Sequence, residues 1–170
     1  MRRGGDLARC TSGAAAAEMA LVFPVLLFIA CGAVEMGNFF LDEHRLIKAV
    51  RDGARYAARQ DISNFTACTG TPGGTVAADT KTLVRTGLVG GTDDILPGFD
   101  ATSVDVTIVG CTSSAGGFYS NVKNSSGTVV GAPVVQVSAS VPYTSVAHFF
   151  GINGFGWYLN ASQQAAVMGW

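Results

Sequence analysis

Met19–Val34 reads MALVFPVLLFIACGAV, sixteen consecutive residues without a charge, bounded by Glu18 and Glu35. As a helix rising 1.5 Å per residue this run alone covers ~24 Å, short of the ~30 Å hydrocarbon core of a bilayer. Taking in the alanines at 14–17 and continuing to Leu41 gives ~42 Å, ample for a tilted span with Glu18 near one end and Glu35 near the other. One transmembrane helix is therefore expected over 14–41. Pro24 removes one backbone donor inside it, which predicts a kink and not a break.

Upstream of the span, three ordinary readings compete. A cleaved secretory signal needs a shorter apolar stretch that ends at a small-residue cleavage site, whereas this one runs on into a helical pattern without turn residues. A lipoprotein signal fails at Leu7-Ala8-Arg9-Cys10, where arginine stands before the cysteine. A simple membrane anchor remains open, but it leaves Glu18 unexplained. A carboxylate in an apolar helix costs ~2.5–3.5 kcal/mol at the helix centre and less near the end, so it normally has a partner. A cut after Gly13 would supply one, because it creates an amino group at Ala14 with Glu18 as the fifth residue. Gly13 leaves the scissile bond accessible, and Ala14–Ala17 add no bulk and favour helix.

A basic leader (Arg2, Arg3, Arg9), a glycine, four residues, a glutamate and an apolar helix together resemble the start of a type IV prepilin. The resemblance narrows downstream: GAAAAEMALVFPVLLFIACGAVEMGNFF followed by KAVRDGARYAARQ is similar to the TadE-like minor pseudopilins of tight-adherence (Tad/Flp) pilus systems, over roughly residues 9–60. That resemblance implies removal of leader 1–13 by a prepilin peptidase at Gly13/Ala14. It also implies a structural part in pilus assembly and surface adherence, without catalysis, in company with other pilins and an inner-membrane platform.

Beyond the span, Leu41–Gln60 lacks proline, and Leu46, Val50, Gly53 and Ala57 recur at helical spacing on one face. Arg45, Lys48, Arg51, Arg55 and Arg59 lie on the opposite face, so the span is expected to continue as an amphipathic stalk over 42–60. Small residues at Gly53, Ala54, Ala57 and Ala58 would let a sheet or helix approach closely, as in the pilin plan of a long helix carrying a sheet on its second half. The basic stripe reads either as a solvated face or as a contact for anionic lipid headgroups or acidic pilus partners, with Lys48, Arg51, Arg55 and Arg59 as its residues.

Residues 61–170 hold six Asp, no Glu and many Gly, Ser, Thr and Val, the composition of a strand-rich extracytoplasmic domain. TGTPGGT at 69–75 is a turn, and Ala77–Leu88 carries a short helical pattern. Ser103–Val109 and Val134–Tyr143 alternate apolar and polar residues as half-buried strands, and a third strand is expected over 157–167. The polar stretch 112–128 reads as a loop with room for a short hairpin. The fold class is thus α+β: a long N-terminal helix and a small antiparallel sheet domain, pilin-like.

Charged residues make up only 14% of the chain, mean hydropathy is +0.34 and the net charge is −1, which favours a membrane protein and gives no reason to expect nucleic acid as partner. Of the four cysteines, only Cys68 and Cys111 share a polar setting. An oxidising compartment would join them; otherwise they are two buried thiols. No zinc spacing occurs, and Asp93, Asp94 and Asp100 lack EF-hand order, so no metal or other cofactor is expected. Phe149, Phe150, Phe155, Trp157 and Tyr158 form an aromatic cluster, expected in the core rather than as a contact surface for a partner. His44 and His148 fit no catalytic motif, and the Asn-x-Ser/Thr triplets at Asn64, Asn124 and Asn160 are incidental in a bacterial protein. The lysine and arginine count across the span opposes a cytoplasmic N-terminus, but the leader pattern, Asp42-Glu43 and the cysteine pair favour it. The expected location is the bacterial inner membrane, single-pass, with 61–170 extracytoplasmic. The alternative is an anchored adhesin or binding domain whose leader is never cut.

Overall fold

The computed structural model describes residues 11–112, 122–123, 127–129, 131–146, 148 and 156–168. The leader residues Arg2, Arg3, Arg9 and Cys10, most of the loop at 112–128 with Asn124, and Phe149, Phe150 and Phe155 lie outside them. The chain divides into two compact units, Met1–Asn38 and Phe39–Trp170.

Helix α1 (Thr11–Ala58) begins three residues before Ala14 and runs through Pro24 without a break. In the first unit its apolar side chains stand exposed, among them Leu21, Phe23, Leu27, Phe28 and Ile29. A helix apolar on every side belongs in lipid or in a core. None of this stretch is buried within the chain, and its length and composition suffice to cross a membrane.

In the second unit, Leu46, Ala49, Val50, Ala54 and Ala57 of α1 are buried in the core, and the exposed positions between them are charged. The core is completed by α2 (Val76–Thr86) and a sheet of β1 (Val104–Cys111), β2 (Pro133–Pro142) and β3 (Tyr158–Ala166), antiparallel throughout and ordered β1-β2-β3. The expected helix and three strands thus form within a few residues of their sequence bounds.

Alternation along the strands sets the register. Val106 lies opposite Val137 and Ile108 opposite Val135, while on the other side Val141 faces Leu159, so one sheet face is apolar. Each such fully buried side chain contributes roughly 1.5–3 kcal/mol by leaving water. The register shifts between Ile108 and Gly110, a bulge that leaves Val109 exposed.

Two glycines have steric reasons. A Cβ at Gly53 would collide with the Val84 side chain, so its absence lets α2 close onto α1. Gly87 ends α2 in the left-handed region at φ 78°, and its N–H donates to the Leu83 carbonyl at 2.8 Å. Beyond it, Arg85 Nε lies 2.7 Å from Asp94 Oδ1, which ties the loop after α2 back to the helix. Asp100 receives N–H bonds from Thr102 and Ser103 at the turn that leads into β1.

Cys68 and Cys111 are joined as a disulfide with sequence separation 43. The bond fastens the segment after α1 to the end of β1, where Ile108 N–H also donates to the Gly70 carbonyl at 2.6 Å. Trp157 and Tyr158 correct the expected aromatic core: both are exposed, at 41% and 59%. Trp157 instead packs edge-on against Phe39 at 5.7 Å and stacks on Tyr143 at 6.5 Å. The cause is the register, because Tyr158 pairs with exposed Pro142 on the outer side of the sheet.

Candidate assembly site

Two groups of residues carry chemistry suited to assembly, one in each unit. In the first unit, Gly13 and Ala14 lie in the opening turns of α1, and Glu18 follows Ala14 by four residues, one turn along the same helix face. Gly13 through Ala17 and Glu18 are all exposed. Among the described residues no cation lies within ion-pair distance of Glu18, although its neighbours from Met19 onward are apolar and equally exposed. A carboxylate so placed gains most from a cation near position 14, and a free α-amino group there would be within reach of a side chain one turn on.

The second unit carries the basic face of α1. Arg45, Lys48, Arg51, Arg55 and Arg59 are all exposed, as the spacing predicts. They are not equivalent. Arg45 Nη1 donates to Asp42 Oδ1 at 2.9 Å, and Asp42 is only 7% exposed, so this cation is already committed. Arg55 stands 3.9 Å from Asp52, a loose exposed pair. Lys48, Arg51 and Arg59 have no carboxylate within ion-pair distance among the described residues.

Shallow grooves flank this stripe. One of about 430 Å³ is lined by Asp52, Arg55, Tyr56, Arg59 and Gln60. Burial pushes the Tyr56 hydroxyl above its ordinary pKa, and the Asp79 carboxylate beside it adds to the shift, so Tyr56 stays neutral in the groove wall. A second groove of about 450 Å³ is bounded by Arg51, Ala54 and Arg55 on α1 and by Gln163, Gln164 and Ala165 on β3. Sequence reasoning missed the glutamines, although a signal existed: Gln163 occupies the apolar phase of β3, opposite Val137, where a covered strand would carry an aliphatic residue. The Asp42–Arg45 pair was also missed, although its i,i+3 spacing on the expected helix was a signal for it.

Residues 13–55 match the family profile described as TadE-like protein. The helical segment is TadE-like. Its match begins at Gly13, takes in Glu18 and the whole apolar run, and ends at Arg55 within the basic stripe. The TadE-like match suggests a component associated with the Tad pilus. The search of curated proteins and the search of solved structures return no match for the chain. Residues 56–170, with the sheet and the disulfide, therefore stand outside the TadE-like match. Among the described residues no cluster of His, Cys, Asp and Glu is arranged to hold a metal ion.

Proposed function

We propose that this chain is a TadE-like minor pseudopilin that supports Tad/Flp pilus assembly and, through it, surface adherence. A prepilin peptidase removes residues 1–13, and α1 from Ala14 holds the protein in the inner membrane as a single span. The N-terminus is cytoplasmic and residues 61–170 are extracytoplasmic, which agrees with the Cys68–Cys111 disulfide, since such bonds persist in oxidising compartments. The observation that carries the reading is Glu18, an exposed carboxylate one turn from Ala14 on an otherwise apolar helix whose TadE-like match starts at Gly13.

Processing gives that carboxylate its cation. Glu18 neutralises the mature amino group, its own or that of the adjacent subunit, which lowers the cost of moving the helix end laterally within the bilayer into an assembly. Lys48, Arg51, Arg55 and Arg59 form a second contact, on an anionic partner surface or on headgroups. The test is Glu18→Ala in cells that assemble pili. Leader removal, read by intact mass, is expected to stay within about twofold of the parent, while incorporation into assemblies falls about tenfold, the equivalent of ~1.4 kcal/mol of lost pairing. Normal assembly of the variant would remove Glu18 from this role.

A further inference from the structure

The sheet order makes β1 and β3 its two edges. The β1 edge is partly occupied, because Ile108 bridges to Gly70 and the disulfide holds that segment beside the strand. The β3 edge has no strand on its outer side among the described residues. Exposed edges normally carry a device against pairing, such as a lysine, a proline, a bulge or an inward charge. Tyr158–Ala166 reads YLNASQQAA, with no charge and no proline, and its register against β2 is unbroken from Val134↔Ala166 to Pro142↔Tyr158.

Beside this open edge runs a part of the basic stripe with little compensating charge. The groove of about 450 Å³ has Arg51 and Arg55 on one wall and Gln163 and Gln164 on the other. Arg51 has no carboxylate partner among the described residues and Arg55 has only the loose one. One wall thus offers backbone donors and acceptors that lack a strand, and the other offers one guanidinium group without an acid, Arg51, and one, Arg55, held only by the loose Asp52 contact.

We propose that this groove receives an extended acidic segment of another pilus component, which adds to the sheet as a fourth strand along β3 and sets its carboxylates on Arg51 and Arg55. Strand addition takes affinity from main-chain hydrogen bonds and specificity from alternate side chains, and the arginine fork fits a carboxylate in two-point contact. Lipid headgroups would satisfy the arginines but not the strand edge. A second copy pairing β3 on β3 would satisfy the edge but bring no acid, since β3 carries none. The proposal rests on the reading of the stripe as a contact surface.

The probe is a capped octapeptide of alternating valine and glutamate, titrated onto the full chain in phosphatidylcholine nanodiscs. Binding is expected, weakened about tenfold or more by the double change Arg51→Gln, Arg55→Gln. N-methylation of alternate peptide residues is expected to abolish binding in one phase and spare it in the other, because only one set of N–H groups faces β3. Absence of binding overturns this proposal, whereas the reading of the stripe as a contact surface is overturned only if Arg51→Gln, Arg55→Gln also leaves binding to phosphatidylglycerol vesicles unchanged. Arginine-dependent binding that ignores N-methylation keeps the stripe as an acid contact and overturns the strand addition. Loss of binding when phosphatidylglycerol replaces part of the disc lipid assigns the stripe to headgroups and overturns the proposal.

Discussion

At Glu18 and at Thr80 a single polar group is set against apolar surroundings, with opposite consequences. Glu18 is exposed, and among the described residues no cation lies within ion-pair distance of it. Thr80 is fully buried on α2, and its Oγ1 has no hydrogen-bond partner among the described residues. A buried hydroxyl without a partner costs about 1–3 kcal/mol, whereas replacing it with a methyl of the same shape removes the penalty. Thr80→Val is therefore expected to stabilise the protein by about 1 kcal/mol, seen as a higher denaturant midpoint in detergent at unchanged slope. A lower midpoint would mean that the hydroxyl is satisfied in solution. Gly53 shows the same economy of space from the other side, since the close approach of α1 and α2 depends on its missing Cβ.

Among the elements, those with a strict period were legible from the chain alone. Val104, Val106 and Ile108 alternate, as do Val135, Val137, Ala139 and Val141, and each set lies on the buried face. β3 was legible in extent but not in burial, because its inner phase, Leu159, Ala161, Gln163 and Ala165, weakens along the strand and leaves the edge exposed. The bulge at Val109 depends on pairing with a strand about 25 residues on, and the Arg85–Asp94 pair on how the loop after α2 folds back, neither of which a local pattern encodes. The turn into β1 makes a prediction of its own. Bonds from Thr102 and then Ser103 hold the Asp100 carboxyl below its usual pKa. A carboxyl with a depressed folded pKa contributes stability that is complete above its unfolded value of about 3.9 and disappears as pH falls through the folded value. Asp100→Ala is thus expected to lower thermal stability at pH 7 and to narrow its gap to the parent as pH drops below about 4. A pH-independent gap, followed by thermal melts across that range, would separate the loss from ionisation.

For the whole molecule, the disulfide and the TadE-like helix answer different needs. A small sheet of three strands with an open edge gains from a covalent tie, and Cys68–Cys111 restrains the segment that covers the opposite edge. Removing it as Cys68→Ser, Cys111→Ser is expected to cost roughly 2–4 kcal/mol and to raise amide exchange first around Gly70 and Ile108. Uniform exchange at all strands would show instead that the bond acts only on the unfolded chain. The helix is legible from composition and the sheet from alternation, but the groove lined by Arg51, Arg55, Gln163 and Gln164 arises only where α1 and β3 meet and so had no signature in either.

The central claim is that Ala14 becomes an N-terminus whose charge Glu18 meets. The direct measurement is the intact mass and N-terminal sequence of the membrane-extracted protein, with and without a co-expressed prepilin peptidase. The account predicts an N-terminus at Ala14 only when the peptidase is present. A chain still beginning at Met1 or Arg2 beside an active peptidase would contradict it and leave a simple anchored domain.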